Sequence, residues 1–262
     1  MNEVAGDNGA ARIIAVANQK GGVGKTTTAI NLSAALASLG RTVLLVDIDP
    51  QGNSTTGLGI DKLGATPCIY EVLVNSMSAE TALRPTGVQG LSILPATLNL
   101  AGAEIELVSA LSRELRLKVA LQKLVSRFDF ICIDCPPSLG LLTLNALAAA
   151  DRLLIPVQAE YFALEGLGQL TRVIELVRAH LNPELEILGV VITMYDGRTN
   201  SAAQVVAEVE RHFPGLTFSS KIPRSVRLAE APSFGASILQ FDAKSKGASA
   251  YTGLAEEVLA RE

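Results

Sequence analysis

Short, almost uninterrupted apolar runs alternate along the chain with longer stretches whose apolar residues recur every three or four positions. The runs over 13–17, 42–47, 91–95, 130–134, 153–157, 187–193 and 217–221 predict strands. The stretches 26–39, 104–127, 139–149, 164–181 and 201–213 predict helices between them. Runs such as VLLVDID and FICID do not alternate apolar with polar residues, which fits strands covered on both faces. The expected fold class is α/β: one domain over 12–262, with a mostly parallel twisted sheet and helices on both faces. Two regions break the rhythm. Residues 51–67, rich in Gly, Ser, Thr and Asn, predict a loop leaving a strand end. Residues 219–247, punctuated by Pro223, Pro232, Gly235 and Gly247, precede a closing helix.

Composition narrows this picture. Of 262 residues, 48% are apolar and 18% charged, enough for a substantial core, and with 4% aromatics and no Trp that core must rest on small aliphatic side chains. A net charge of −4 argues against a constitutive nucleic-acid coat protein while leaving room for a local basic patch. Three cysteines, an odd number, exclude a disulfide framework and suit a reducing compartment. No run approaches the roughly 18 apolar residues of a membrane span. Residues 1–11, MNEVAGDNGAA, lack both the basic and the apolar part of a signal peptide and read as a disordered tail. A cytoplasmic protein with no membrane partner is expected.

Chemistry begins where the first predicted strand meets NQKGGVGKTT and a helix follows. Glycines Gly21, Gly22 and Gly24, with Val23 among them, let successive backbone N–H groups curl around phosphate oxygens, and the helix start adds its dipole. Lys25 would reach the outer phosphates, the Thr26 hydroxyl would ligate Mg²⁺, and Thr27 continues the cradle. Two further motifs end in carboxylates. The run 42–47 leads into Asp47-Ile48-Asp49-Pro50-Gln51-Gly52-Asn53, placing Asp47 and Asp49 where parallel sheets bind ligands. The run FICID ends in Asp134, the form of a Mg²⁺-holding aspartate behind a phosphate loop. Cys132 and Cys135, three apart on a strand, would point to opposite faces and suit packing rather than a shared metal.

The loop departs from the ordinary G-x-x-x-x-G-K-[ST] pattern, with Gln19 at the first glycine position and Lys20 before the glycine pair. KGGVGKTT resembles the deviant Walker A motif of the ParA/MinD superfamily of P-loop ATPases, and LLVDIDPQGN resembles the second motif of its ParA branch. The resemblance implies ATP and Mg²⁺ as cofactors. It implies that Lys20 crosses a homodimer to the partner's phosphates, that Asp49 positions the attacking water, and that Asp47 supports the Mg²⁺ site. A lysine supplied in trans acts like an arginine finger, so a lone protomer would hydrolyse ATP poorly. Likeness continues through residues 95–108, 156–167, 192–200 and 222–235 and is most specific to the chromosomal ParA proteins, also called Soj. It implies an ATP-gated partitioning switch with a ParB-type centromere-binding partner and non-specific double-stranded DNA, on the nucleoid.

Residues 219–247 carry a surplus of three positive charges. By resemblance, Arg198 in DGRTN and Arg227 in IPRSVRL contact DNA phosphates, with Arg224 of the same basic cluster beside them, while Met194 and Pro223 pack near adenine. Phosphate contacts carry affinity without sequence information. The alternative is a MinD-like, membrane-associated positioning ATPase, which would need a basic amphipathic C-terminal helix. A metabolic P-loop enzyme of the dethiobiotin-synthetase type is the third class, and it would leave DPQGN and the arginines unexplained.

Overall fold

A computed structural model describes residues 10–160 and 165–262. Eight strands form one sheet: β1 (Arg12–Val16), β2 (Val43–Asp47), β3 (Arg84–Pro85), β4 (Leu91–Leu94), β5 (Phe130–Asp134), β6 (Arg152–Gln158), β7 (Glu186–Tyr195) and β8 (Thr217–Pro223). Their spatial order is β3-β4-β2-β5-β1-β6-β7-β8, and every neighbouring pair is parallel except β3 with β4. β2 and β5 are buried at all five positions, which is why their sequences run apolar without alternation.

Successive residues of each strand feed two apolar layers. Ile13, Ala15, Leu44, Val46, Ile131, Ile133 and Cys135 face one layer, with helices Leu100–Glu106, Arg116–Leu121 and Leu141–Ala149 against it. Ile14, Val16, Val43, Leu45 and Cys132 face the other, built with helices Lys25–Ser38 and Lys246–Arg261. The two strand cysteines thus sit in opposite layers. Helix Lys25–Ser38 is buried almost all round because the sheet, the closing helix and a short helix Asn53–Gly57 all pack on it.

Neither outer strand presents a long free edge. β3 is two residues long and ends in Pro85. Along β8, the Glu257 carboxylate accepts Ser219 N–H at 2.8 Å and Ser220 N–H at 2.7 Å. Arg261 Nη1 donates to the carbonyls of Leu188 (2.8 Å) and Leu216 (3.1 Å), and its Nη2 donates to Thr217 O at 3.2 Å.

Several expectations require correction. The helix expected over 104–127 is broken into Leu100–Glu106, 3₁₀ turns Leu107–Ser109 and Arg113–Leu115, and Arg116–Leu121. Ser112 sits at φ 50 between them. Buried Asn145 accounts for the break: its amide donates to Arg113 O at 2.8 Å and its oxygen accepts Leu117 N–H at 3.1 Å, capturing backbone groups that a continuous helix would bond internally. The loop expected over 51–67 contains helix Asn53–Gly57, and 219–247 contains helices Val226–Glu230 and Ile238–Phe241. Of the tail expected over 1–11, residues 1–9 lie outside the described residues. Ala11 is buried and donates to Val125 O at 2.7 Å, so the packed domain already includes it. Leu164, the expected start of helix Glu165–His180, lies outside the described residues, as do 161–164 of the 156–167 match.

Register fixes the position of the site. Asp47 pairs with Asp134 across β2 and β5, and Val16 pairs with Asp134 across β1 and β5. The loop after β1 and both strand-end carboxylates therefore open at the carboxyl edge of the sheet's centre, where such folds bind ligands.

Candidate nucleotide site and arginine surface

The loop after β1 is held open by its own side chains. Asn18 donates to Pro156 O at 2.7 Å and accepts Lys20 N–H at 3.0 Å. Gly22 (φ 73) and Gly24 (φ 85) take left-handed conformations, and a Cβ on Gly22 would meet nothing within 4 Å, so the requirement there is conformational rather than steric. Thr193 Oγ1 on β7 donates to Val23 O at 2.8 Å and ties the loop to the neighbouring strand. Lys25 is buried, and its ammonium donates to Lys20 O at 3.0 Å, a carbonyl oxygen standing where an anionic oxygen would be a better acceptor. Burial lowers the Lys25 pKa, opposed by the nearby Asp134, Cys135 and Asp49. Lys20 is half-buried, and its own ammonium has no hydrogen-bond or ion-pair partner among the described residues.

The three aspartates face different constraints. Asp47, fully buried, accepts Thr55 N–H at 2.8 Å and Thr55 Oγ1–H at 2.7 Å on one oxygen and Asp49 N–H at 3.2 Å on the other. Burial pushes its pKa up to about 6 against those hydrogen bonds. Asp49 accepts Gln51 N–H at 2.9 Å on one oxygen and lines the cleft. Asp134 is also fully buried. Its Oδ2 accepts the Ser54 hydroxyl at 2.7 Å, whereas its Oδ1 has no hydrogen-bond partner. Burial, then repulsion from Asp47, pushes its pKa to about 8. Two in-register carboxylates in a dry setting cannot both ionise cheaply. Among the described residues no group of three or more His, Cys, Asp or Glu forms a self-sufficient metal cage. An orphaned buried carboxylate oxygen with the Thr26 hydroxyl at its side is nonetheless the hard oxygen donor set that suits Mg²⁺, provided a ligand supplies further oxygens.

Gly21, Gly22, Gly24, Lys25, Thr26 and Thr27 line a cleft of about 330 Å³ with Asp49, Gln51, Asn53, Pro137 and Met194. Against it lies a second, more apolar cavity of about 220 Å³. Its walls include Met194, Pro223, Ile222, Leu228 and Tyr251, and the two share Gly24, Thr27 and Met194. A polar cleft opening beside an apolar slot has the shape of a nucleotide, phosphates in one and base in the other. Met194 adopts φ 51, an uncommon conformation for this residue type. Sequence reasoning missed Ser54, Thr55, Thr193 and Tyr251. The first two follow DPQGN directly, a cue for hydroxyls near the carboxylates; Thr193 and Tyr251 leave no local signal.

Comparison with known proteins agrees. A family model described as an AAA domain matches residues 11–187. The sporulation initiation inhibitor protein Soj of Bacillus subtilis is 55% identical over 249 residues, 95% of this chain and 98% of its own. The chromosome partitioning protein ParA of Myxococcus xanthus is 55% identical over 251 residues, 96% and 89% of the two chains. This chain belongs to the ParA/Soj family of chromosome-partitioning ATPases. Among solved structures, cobyrinic acid a,c-diamide synthase from Mycobacterium smegmatis with bound ADP and magnesium superposes with TM-score 0.85 at 43% identity, covering 95% of this chain and 94% of its own. The cell division ATPase MinD of Pyrococcus furiosus follows with TM-score 0.76 at 30% identity, covering 95% and 99%.

Arg198 is highly exposed yet clamped by Asp196, with contacts of 2.9 and 2.6 Å that hold the Asp196 carboxyl at about 2. Arg224 pairs with Glu160 at 2.8 Å and lines the apolar cavity, and its backbone N–H reaches Tyr195 O at 3.3 Å. Arg227 has only long contacts, 3.5 Å to Glu230 and 3.6 Å to Asp242, and lies 5.4 Å from the centre of the Phe241 ring. The structure thus groups Arg198 with Arg224 around residues 195–198 and sets Arg227 on a separate helix. Each has an acidic neighbour, and because Asp196 and Glu160 lie outside residues 219–247 the positive surface is weaker than the charge count of that segment implies. No helix among the described residues is long and apolar enough to cross a membrane. The apolar residues of helix Lys246–Arg261, among them Tyr251, Leu254 and Val258, are buried in the core and are not available to a lipid surface.

Proposed function

We propose that this chain is an ATP-dependent partitioning switch whose ATP-bound homodimer binds double-stranded DNA non-specifically and releases it when a ParB-type partner stimulates hydrolysis. The reading is carried by one observation: Met194 and Arg224 both line the cavity that would take the base, and the Arg224 N–H bonds Tyr195 O at 3.3 Å, where β7 leads into the loop that carries Arg198. That proximity supports a reading in which the nucleotide and the DNA surface are neighbours rather than remote sites.

In the reaction, water attacks the γ-phosphorus, the bond to the β–γ bridging oxygen breaks, and ADP and phosphate result. The backbone N–H groups of residues 21–27 bind the phosphates, and Lys25 exchanges its carbonyl partner for a phosphate oxygen. Asp49 orients the water. Thr26 and Asp134 would hold Mg²⁺, with Asp47 supporting the site. Bound there, Mg²⁺ neutralises phosphate charge. Lys20 completes the partner's site: its carbonyl is engaged within its own protomer while its ammonium is left unpaired. That division of labour fits a cation used in trans. Arg198, Arg224 and Arg227 would contact DNA phosphates, and dimerisation doubles a patch too weak to act singly. The protein is expected in the cytoplasm, on the nucleoid.

Retention of unrelated duplex fragments with ATP, ADP and no nucleotide tests this. Retention only with ATP, equal across sequences, is expected. Nucleotide-independent or sequence-selective retention, or ATP-dependent sedimentation with anionic liposomes instead of DNA, would overturn it.

A further inference from the structure

Helix Asn53–Gly57 is only five residues long, yet two of its consecutive side chains reach two different strands. Thr55 holds Asp47 through its backbone N–H and its hydroxyl, and the same hydroxyl accepts Ala96 N–H at 2.9 Å. Ser54, with no solvent exposure, donates to Asp134 Oδ2 at 2.7 Å. A carboxylate is free to turn about its last bond, a broad, two-fold rotation that exchanges its oxygens. A hydroxyl has a single proton to donate. Ser54 spends that proton on Oδ2, and Oδ1 is left buried and unpartnered.

We infer that Ser54 is a positioning residue: its hydroxyl fixes the rotation of Asp134 so that Oδ1 is kept for the metal shell. The inference rests on Asp134 belonging to the Mg²⁺ site, as proposed above. Ser54 never meets substrate or metal and acts only through Asp134. Outer-shell hydrogen bonds of this kind are worth roughly 10–100-fold in metal affinity. Without the hydroxyl, Asp134 would keep its place at the end of β5 but lose its fixed orientation.

The test measures binding of a fluorescent ADP analogue as Mg²⁺ is titrated, and again in EDTA, for wild type, Ser54→Ala, Ser54→Thr and Asp134→Asn. Ser54→Ala should raise the half-saturating Mg²⁺ concentration about tenfold or more while leaving affinity in EDTA unchanged. Ser54→Thr, which keeps the hydroxyl, should stay near wild type, and Asp134→Asn should lose the Mg²⁺ effect. A wild-type midpoint in Ser54→Ala beside a lost response in Asp134→Asn overturns the role of Ser54 and leaves the metal site standing. An unchanged response in Asp134→Asn overturns the metal reading, and the inference with it. Equal loss with and without Mg²⁺ in Ser54→Ala makes Ser54 a structural residue and refutes positioning; should that variant fold poorly, a raised midpoint in well-folded Ser54→Thr refutes it equally.

Discussion

Asp134→Asn should make the nucleotide-free protein more resistant to alkaline unfolding while removing its response to Mg²⁺. In the unfolded chain an aspartate titrates near 4. In the folded protein burial and the facing Asp47 hold Asp134 at about 8. Between those values the folded state binds a proton that the unfolded state has lost, so stability falls as pH rises and continues to fall through the folded-state pKa. From pH 7 to pH 9 the ionised fraction of a group titrating near 8 rises from about one tenth to about nine tenths, which costs on the order of 1 kcal/mol. Asp47, at about 6, has nearly completed its own titration below this window and contributes little to the difference. An asparagine mimics the protonated acid, can still accept the Ser54 hydroxyl, and has nothing to ionise. The melting temperature of the wild type should therefore drop by about 3 °C more than that of the variant between those two pH values. Circular dichroism melts in EDTA without nucleotide provide the measurement. Parallel curves of melting temperature against pH would refute the reasoning, because they would mean that the carboxyl is already ionised in the fold.

Lys25→Ala should lose ATP affinity, whereas Lys20→Ala should keep it and lose ATP-driven dimerisation and stimulated turnover; equilibrium binding and light scattering separate the two, and equal loss of binding would remove the trans role. Arg227→Ala should weaken retention of every duplex alike and flatten its salt dependence by about one to two units in the dimer, at about 0.9 per phosphate. Its loose contacts to Glu230 and Asp242 cost little to exchange for phosphates, and unchanged slopes would place the DNA surface elsewhere. Gly189→Ala should destabilise the fold by about 2 kcal/mol in denaturant titration, since a Cβ there would lie 2.6 Å from the Leu216 carbonyl and 2.5 Å from the Phe218 ring.

Legibility followed the number of constraints each segment satisfies. A strand buried on both faces must be apolar throughout, so β2 and β5 were plain in VLLVD and FICID. A phosphate cradle needs glycine and lysine at fixed spacing, so the loop was plain as well. Helix Asn53–Gly57 is too short for any periodicity and is held by hydrogen bonds to carboxylates on other segments. The stretch 104–127 has good helical periodicity, yet Asn145, distant in sequence, captures its backbone. The pairing of Arg224 with Glu160 spans 64 positions and could not be read from the local charge count.

The two ends of the sheet bear on how copies of this chain can assemble. An exposed outer strand is a template onto which another chain can add. Here one outer strand is a two-residue stub with a proline, which has no N–H to offer. Along the other, Glu257 and Arg261 already occupy backbone donors and carbonyls that an incoming strand would need. Growth by strand addition is closed at β3 by shortness and at β8 by a charged clasp. Contacts between copies are thereby directed to loops and helix faces, which can form and part without tearing the sheet's backbone hydrogen bonds.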